Sequence, residues 1–180
     1  PRVFFERGSS NPYECAASGS RYGQALAIAG GYNIVDEIIG PDDPKYGTIT
    51  TSVEPEWVVE QNPETILVAG YLLGSPGTRI QSGYETDDPS SMAAKKQEIL
   101  DRPELANVDA VKNGQVYVLD TEVIGGSGPE CLVGAAYIAK LLHPELFKDL
   151  DPKTIHQEYV DKFCHIDFDV NKHGVFVYPS

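Results

Sequence analysis

Glu54-Pro55-Glu56-Trp57-Val58-Val59-Glu60-Gln61-Asn62-Pro63-Glu64-Thr65-Ile66-Leu67-Val68 reads as a helix that stops at a turn and runs straight into a buried strand. Pro55 is tolerated in the first helical turn, where a missing N–H costs little. Trp57, Val58 and Gln61 keep helical spacing. Asn62-Pro63 ends the helix, because a residue before proline avoids the α region. Ile66-Leu67-Val68 is a short apolar run of the kind buried in parallel sheets. A helix feeding a strand through so short a break is half of a βαβ unit.

The same pattern repeats on either side. Val3-Phe4-Phe5 is a first strand, followed by a Gly-, Ser-, Asn- and Pro-rich loop over 6–19. Ser20 caps a helix through Ala29 whose core face is Tyr22, Ala25, Leu26 and Ala29. Gly30-Gly31 stops it, and Asn33-Ile34-Val35 is a short strand. A loop over 40–51 leads into the quoted segment. A long turn-rich stretch over 70–91 precedes a helix over 92–100, and loops of that length are usually functional or disordered. Gln115-Val116-Tyr117-Val118-Leu119 is the next strand, announced by the Asn113-Gly114 turn. After a Gly-rich loop over 121–129, Ser127 and Glu130 form a capping-box pattern. The helix they open reaches Leu142, with Leu132, Ala135, Ala136, Ala139 and Leu142 on its apolar face. Asp151-Pro152 starts a last helix carrying Ile155, Tyr159 and Phe163 on one face, and Val175–Tyr178 is a terminal strand.

Strands alternating with helices imply an α/β fold, a mostly parallel sheet with helices on both faces. Ligands of such sheets sit at the carboxyl ends of the strands. The loops over 6–19, 69–91 and 120–129 are therefore the places to search.

With 180 residues the chain suits one domain with a real core. Its net charge of −13 argues against nucleic acid and against anionic membrane surfaces. Cys15, Cys131 and Cys164 include no Cys-x-x-Cys pair, so a structural zinc site is not expected. They allow one disulfide at most. No 18-residue apolar run is present. The chain opens inside a strand with no initiator Met and no signal peptide, which reads as a fragment lacking an N-terminal portion and any export signal. No Walker loop, nucleophile elbow or His-Glu-x-x-His is present, and Gly125-Gly126-Ser127-Gly128 has neither Rossmann spacing nor a P-loop lysine.

Five stretches resemble, in order and spacing, the C-terminal lobe of substrate-binding proteins for metal-chelate ABC importers. They are Arg2–Glu6, Ala29-Gly30-Gly31-Tyr32-Asn33-Ile34, Glu56–Val68, Asn107–Asp120 and Tyr137–Phe147. The chain departs from that pattern at Glu54, where Ser or Thr often begins the docking helix. It also departs in the longer stretch over 70–91 and in a tail from Lys148 to Ser180. The resemblance implies one lobe of a two-lobed clamp, the single C-terminal lobe over 1–180, with the N-terminal lobe absent. It implies no catalysis and no cofactor. Its implied ligand is a ferric siderophore first, cobalamin or another corrinoid second, and haem or an oxyanion third. It implies an extracytoplasmic location. It also implies that Glu56 pairs with arginines of the ABC permease, with Glu54 or Glu60 as substitutes. A first-turn carboxylate is favoured by the helix dipole in any case.

Half a ligand site is then expected at the carboxyl edge. Tyr13 could stack on a planar or macrocyclic chelate, or pack on its own strand. Arg7 could pair with a carboxylate or catecholate, or form a surface ion pair. Tyr22 shares a core face, and Tyr46 leads toward the docking segment. Ser127 and Glu130 mark a helix N-terminus that favours oxyanions, or a plain capping box. Glu14, Cys15, Glu130 and Cys131 could meet on one face as a metal site or as a Cys15–Cys131 disulfide, but inert buried thiols are favoured. Cys164, His165 and His173 read as structural. The rival from another class is a fragment of a doubly wound, nucleotide-dependent enzyme.

Overall fold

In the computed structural model the described residues are 1–8, 11–48, 51–70, 80–125 and 128–179. Strands β1 (Arg2–Gly8), β5 (Thr65–Gly70) and β6 (Val116–Leu119) are the parallel centre of one sheet. Val3 pairs with Thr65, and Ile66 pairs with Val116. Their following segments therefore leave from one edge, as the alternation predicts.

Short strands complete the sheet. β3 (Tyr32–Asn33) lies parallel to the start of β1. β2 (Glu14–Cys15) turns back antiparallel to the end of β1, and β4 (Thr51–Ser52) pairs with β2. The edge strand β7 (Val177–Tyr178) runs antiparallel to β6. The loops expected over 6–19 and 40–51 thus each contribute a two-residue strand. The strand expected over 33–35 is mostly a 3₁₀ turn, Ile34–Glu37. Its Asn33 side chain accepts from the Val35 N–H, which starts that turn instead of prolonging the ladder.

Alternate side chains build two cores. Val3, Phe5, Leu67, Ala69 and Leu119 face α1 (Arg21–Ile28), α5 (Thr121–Ile124), α6 (Glu130–Leu142) and α7 (Pro152–Tyr159). Phe4, Ile66, Val68, Val116 and Val118 face α2 (Pro55–Gln61), α3 (Ser90–Leu100) and α4 (Asp109–Lys112). Helices on both faces explain why β5 is buried at every position rather than at every second one.

The quoted segment folds as read. Pro55 is the first residue of α2, and Asn62 stops it in the left-handed region at φ 43°. Asn62 then accepts from the Asp109 N–H at 2.9 Å and so docks the start of α4 under β5. Ser20 caps α1 by accepting from the Gly23 N–H.

Two helix faces depart from the spacing. Leu132 is 61% exposed, because the buried side of α6 is Val133, Ala135, Ala136, Tyr137, Ile138 and Ala139. Phe163 is 60% exposed. The chain winds as a π-helix over Val160–Cys164, and that wider turn carries Phe163 off the stripe begun by Ile155 and Tyr159. Val160 is buried in its place, and so is His156 one turn earlier. The tail is part of the fold: Phe168, Phe176 and His156 pack edge-on around Tyr84.

Candidate functional site: the carboxyl edge of the sheet

β1 ends at Gly8, and α1 begins at Arg21 and runs back to deliver β3 beside the start of β1. The first turn of α1 therefore stands at the carboxyl edge. So do the start of α5, directly after β6, and the start of α6. Around this edge the structure separates the residues singled out by the sequence.

Tyr13 is 6% exposed and belongs to the α2–α4 core. Its hydroxyl donates to Glu104, and its ring lies under Arg102, 4.8 Å from guanidinium carbon to ring centroid. Burial, then the Glu104 bond, pushes its pKa well above the ordinary range. Tyr13 packs on its own strand and offers no ring for stacking, a correction to the ligand role. The cause is the left-handed turn at Tyr13, φ 61°, which sends the chain into β2 instead of into an open loop.

Arg102, just past the helix expected over 92–100, was missed by the sequence reading. It binds Glu6 through two N–H donors at 2.7 and 2.8 Å. Glu6 is 1% exposed, and Glu98 takes further donors of the same guanidinium. Burial lowers the Arg102 pKa, but the Glu6 bonds and charge outweigh it and hold it above its ordinary value.

Arg7 lies at the edge with its guanidinium 3.5 Å from Glu14. Tyr46 covers Gly19, where an added Cβ would come within 2.2 Å of the ring. Both therefore stand at the ligand-side segments. Tyr22 has its ring in the core, 6.3 Å from Phe5, as its helical spacing predicted. Its hydroxyl accepts from Arg21 at 3.1 Å, which makes Arg21 another edge residue the sequence reading passed over. A cation in the first turn of a helix is disfavoured by the dipole, and that was the available signal.

Ser127 lies outside the described residues. Glu130 accepts from the Gly128 N–H at 3.2 Å, and Pro129 occupies the N-cap of α6 with no side-chain cap bond. Cys15 and Cys131 do not meet. Cys15 faces the α2–α4 core and donates to the Thr51 carbonyl, whereas Cys131 packs against the opposite core. The sheet lies between them because Cys15 is in a strand and not in a loop. Both are free thiols, as is Cys164. Burial, then Glu6 and Glu14, pushes Cys15 up to about 12, so it is an inert thiol at neutral pH. Among the described residues no three His, Cys, Asp or Glu side chains could hold a metal ion.

Asp120, at the end of β6, was not singled out either. It caps α5 through the Glu122 and Val123 N–H groups and accepts from Ser82 at 2.5 Å. Burial pushes its pKa up to about 6.

Glu56 is exposed at the second position of α2, and Glu54 and Glu60 are exposed as well. Glu54 makes no side-chain cap bond. Because α2 runs toward the start of β5, its first turn stands at the same edge as the ligand-side segments. No described helix is long and apolar enough to cross a membrane.

Residues 1–123 match a family model described as "Periplasmic binding protein". No curated protein sequence matches the chain. Among solved structures it is similar to the TroA-like periplasmic binding protein FepB of Veillonella parvula, at 25% identity and a TM-score of 0.75, over 98% of this chain and 48% of that one. The Haemophilus influenzae molybdate-binding protein MolA, bound to molybdate, shares 25% identity at a TM-score of 0.60, over 93% and 43% of the two chains. Helicobacter pylori CeuE with Ni(II) bound shares the fold at 23% identity and a TM-score of 0.67, over 94% and 47%. The chain spans about half the length of these structures. The family match over more than half the chain displaces the nucleotide-dependent enzyme reading, since this is a family of solute binders. The chain belongs to the periplasmic binding protein family, the extracytoplasmic solute-binding components of ABC importers.

Proposed function

We propose that this chain is the C-terminal lobe of a binding protein that delivers a metal chelate, a ferric siderophore before a corrinoid, to an ABC permease. The observation that carries the reading is the placement of Glu56. It is an exposed carboxylate in the first turn of α2, at the same edge as the carboxyl ends of β1, β5 and β6. A ligand held at that edge and a permease touching α2 are then served by one side of the molecule.

A chelate suits the edge better than a bare oxyanion. A small oxyanion needs several converging N–H donors. Here the Arg7 guanidinium stands beside Glu14, and Glu122 and Glu130 add carboxylates. An organic chelate spreads its charge over a larger, partly apolar surface and needs a matching donor only locally.

Calorimetry on the longer protein that contains this chain tests the ligand class. Ferric hydroxamates, ferric catecholates, cobalamin, haem and molybdate are titrated separately. Binding of a chelate with micromolar affinity or better, about 8 kcal/mol, is expected. Binding of molybdate alone would overturn the chelate reading. For docking, Glu56→Arg is expected to abolish uptake in the intact transport system while chelate affinity stays unchanged. Charge reversal beside permease arginines replaces attraction with repulsion. Normal transport by that variant would remove Glu56 from the docking role.

A further inference from the structure

The stretch over 80–87 lies across the carboxyl edge and is fastened in two halves. The first half is held by the sheet. Ile80 is buried over the ends of β1 and β5, where a Cβ added at Gly8 would stand 2.9 Å from its side chain and one at Gly70 would stand 3.8 Å away. Ser82 donates to Asp120, just past β6. From Gly83 onward the partners come from the tail. Gly83 and Val175 exchange backbone N–H bonds at 2.7 and 3.1 Å. Asp87 accepts from the Gly174 N–H at 2.7 Å and faces His173. Between these two contacts Tyr84 inserts into the tail. Its ring stands edge-on to Phe168 and Phe176, and its hydroxyl meets Nε2 of His156 at 2.6 Å.

His156 is fully enclosed at the centre of these contacts. Phe176 covers its ring at 4.4 Å between centroids, and its Nδ1 faces the Tyr137 hydroxyl of α6 at 3.3 Å. A neutral imidazole has one donor and one acceptor, and a hydroxyl serves as either, so the cage satisfies the neutral ring. An imidazolium has two donors and no acceptor. Both hydroxyls must then accept, and their own protons lose the ring as a partner. No anion compensates. Tyr84, Tyr137, Phe168 and Phe176 surround the ring, and among the described residues no carboxylate pairs with it. Asp120, Glu122, Cys164 and Tyr159 act on the Tyr84 hydroxyl, and Asp151 acts on that of Tyr137, but none of them is hydrogen-bonded to the imidazole. Lys153, one turn earlier on α7, lines a cavity with Tyr137 and Phe176, and its charge opposes a second cation there. The exposed Asp87–His173 pair gains from acid, but such a pair is worth little in water.

We propose that residues 83–87 and the tail over 173–176 form a clasp at the carboxyl edge, with His156 as its acid-opened latch. The neutral ring holds Tyr84 and keeps the clasp shut. The protonated ring leaves its cage for water and frees Tyr84 with it. Acid therefore loosens the outer half of the 80–87 stretch, whichever ligand the edge takes. Enclosed, the His156 ring has its pKa pushed down by burial to about 4, against an ordinary value of 6.5 in the open form. Protons thus bind the open form better, and opening is favoured as pH falls through 6.5, with the full effect reached near pH 4. Between pH 7.5 and pH 5 the opening constant should rise about 30-fold on these two values. Asp120, raised to about 6, has the opposite slope if Ser82 leaves together with the clasp. That contribution is common to wild type and to any variant at position 156.

The test is hydrogen exchange at the Gly83 and Val175 amides in the longer protein containing this chain, with no ligand added. These two N–H groups bond across the clasp and report its opening. Wild type and His156→Phe are compared at pH 7.5 and 5, with rates corrected for intrinsic exchange and thermal melting as the check on folding. Protection of both amides should fall on acidification about 30-fold more in wild type than in His156→Phe. The Leu67 and Val68 amides of β5 should stay better protected than either at both pH values. Tyr84→Phe, which keeps the histidine and removes the hydroxyl, should open the clasp about fivefold more at pH 7.5, the loss of one ordinary hydrogen bond. That variant also serves if His156→Phe does not fold. Acid slopes that agree within threefold between wild type and His156→Phe overturn the latch. So does a Tyr84→Phe protein whose Gly83 and Val175 protection stays within twofold of wild type. Equal protection of Gly83, Val175 and the β5 amides would show that His156 is exposed by whole-domain unfolding alone, and the clasp would fall.

Discussion

Two arginine–tyrosine pairs of nearly equal geometry have opposite surroundings. Arg102 lies 4.8 Å from the centroid of Tyr13, and Arg21 lies 4.9 Å from that of Tyr22. The first is buried beneath the sheet and saturated by Glu6 and Glu98. The second is exposed at the carboxyl edge and has no described carboxylate. Contact with an aromatic ring therefore does not distinguish a guanidinium whose donors are spent inside the fold from one that stands exposed. Burial and the availability of donors do. His156 completes the series as a basic group that is buried without a carboxylate. Burial pushes it down to about 4, so it sits neutral between the Tyr84 and Tyr137 hydroxyls.

The largest effect is expected at the buried pair. Arg102→Ala leaves the buried Glu6 with only the Lys95 ammonium, 3.9 Å away, and breaking such a buried pair costs about 3–5 kcal/mol. The midpoint of urea unfolding reads this directly. A loss below about 1 kcal/mol would show that Lys95 or water takes over the Glu6 charge and would erase the contrast with Arg21.

His156 comes next, and its sign is fixed by its charge state. The folded pKa is below the unfolded value near 6.5, so the unfolded chain binds the proton more readily. Stability from this group is complete above pH 6.5, falls as pH drops, and is gone by about pH 4. The total is on the order of 2–3 kcal/mol. Asp120 has the opposite slope. Its folded pKa is raised to about 6, so its contribution is present below about pH 4 and is lost as pH rises through 6. Unfolding midpoints of wild type and His156→Phe at pH 7.5 and 4.5 separate the two. The variant should lose the acid sensitivity assigned to His156, and equal slopes in both proteins would refute the assignment.

A smaller effect is expected at Tyr13. Tyr13→Phe removes one hydrogen bond to a carboxylate at the surface, worth about 1–2 kcal/mol, and should leave chelate affinity unchanged. A fall in affinity with no fall in stability would restore Tyr13 to the ligand site. Smallest in stability is Glu56→Arg, under about 1 kcal/mol for a first-turn helix charge, whatever it does to uptake.

The architecture was legible because it is written in local pattern. Pro55 and Asn62-Pro63 bound α2, and the apolar Ile66-Leu67-Val68 could only be a strand covered on both sides. Ser20, Asp151 and the glycines mark ends that depend on neighbouring backbone alone. The exposed Glu56 could be read for the same reason, since a helix start exposes its first turn.

The site was less legible because its members differ in what covers them. Tyr13, Tyr22 and Tyr46 look alike in sequence, yet Tyr13 is enclosed by Arg102 and Glu104, residues about ninety positions away. The separation of Cys15 from Cys131 depends on a two-residue antiparallel return that no periodicity announces. Phe163 left its stripe because of a π-helical turn near the chain's tail.

What the sequence alone determined is the order of the main strands and helices, the sharing of apolar residues between two faces, and the edge that the ends of the parallel strands share. Backbone sterics and side-chain period act over a few residues, and those are fully present in the chain. Tertiary structure alone decided which charges are spent inside and which remain for a partner. Arg102 is neutralised by Glu6 across 96 positions, while Arg21 keeps its donors. A side chain's charge is a local property, but its desolvation depends on everything that packs around it.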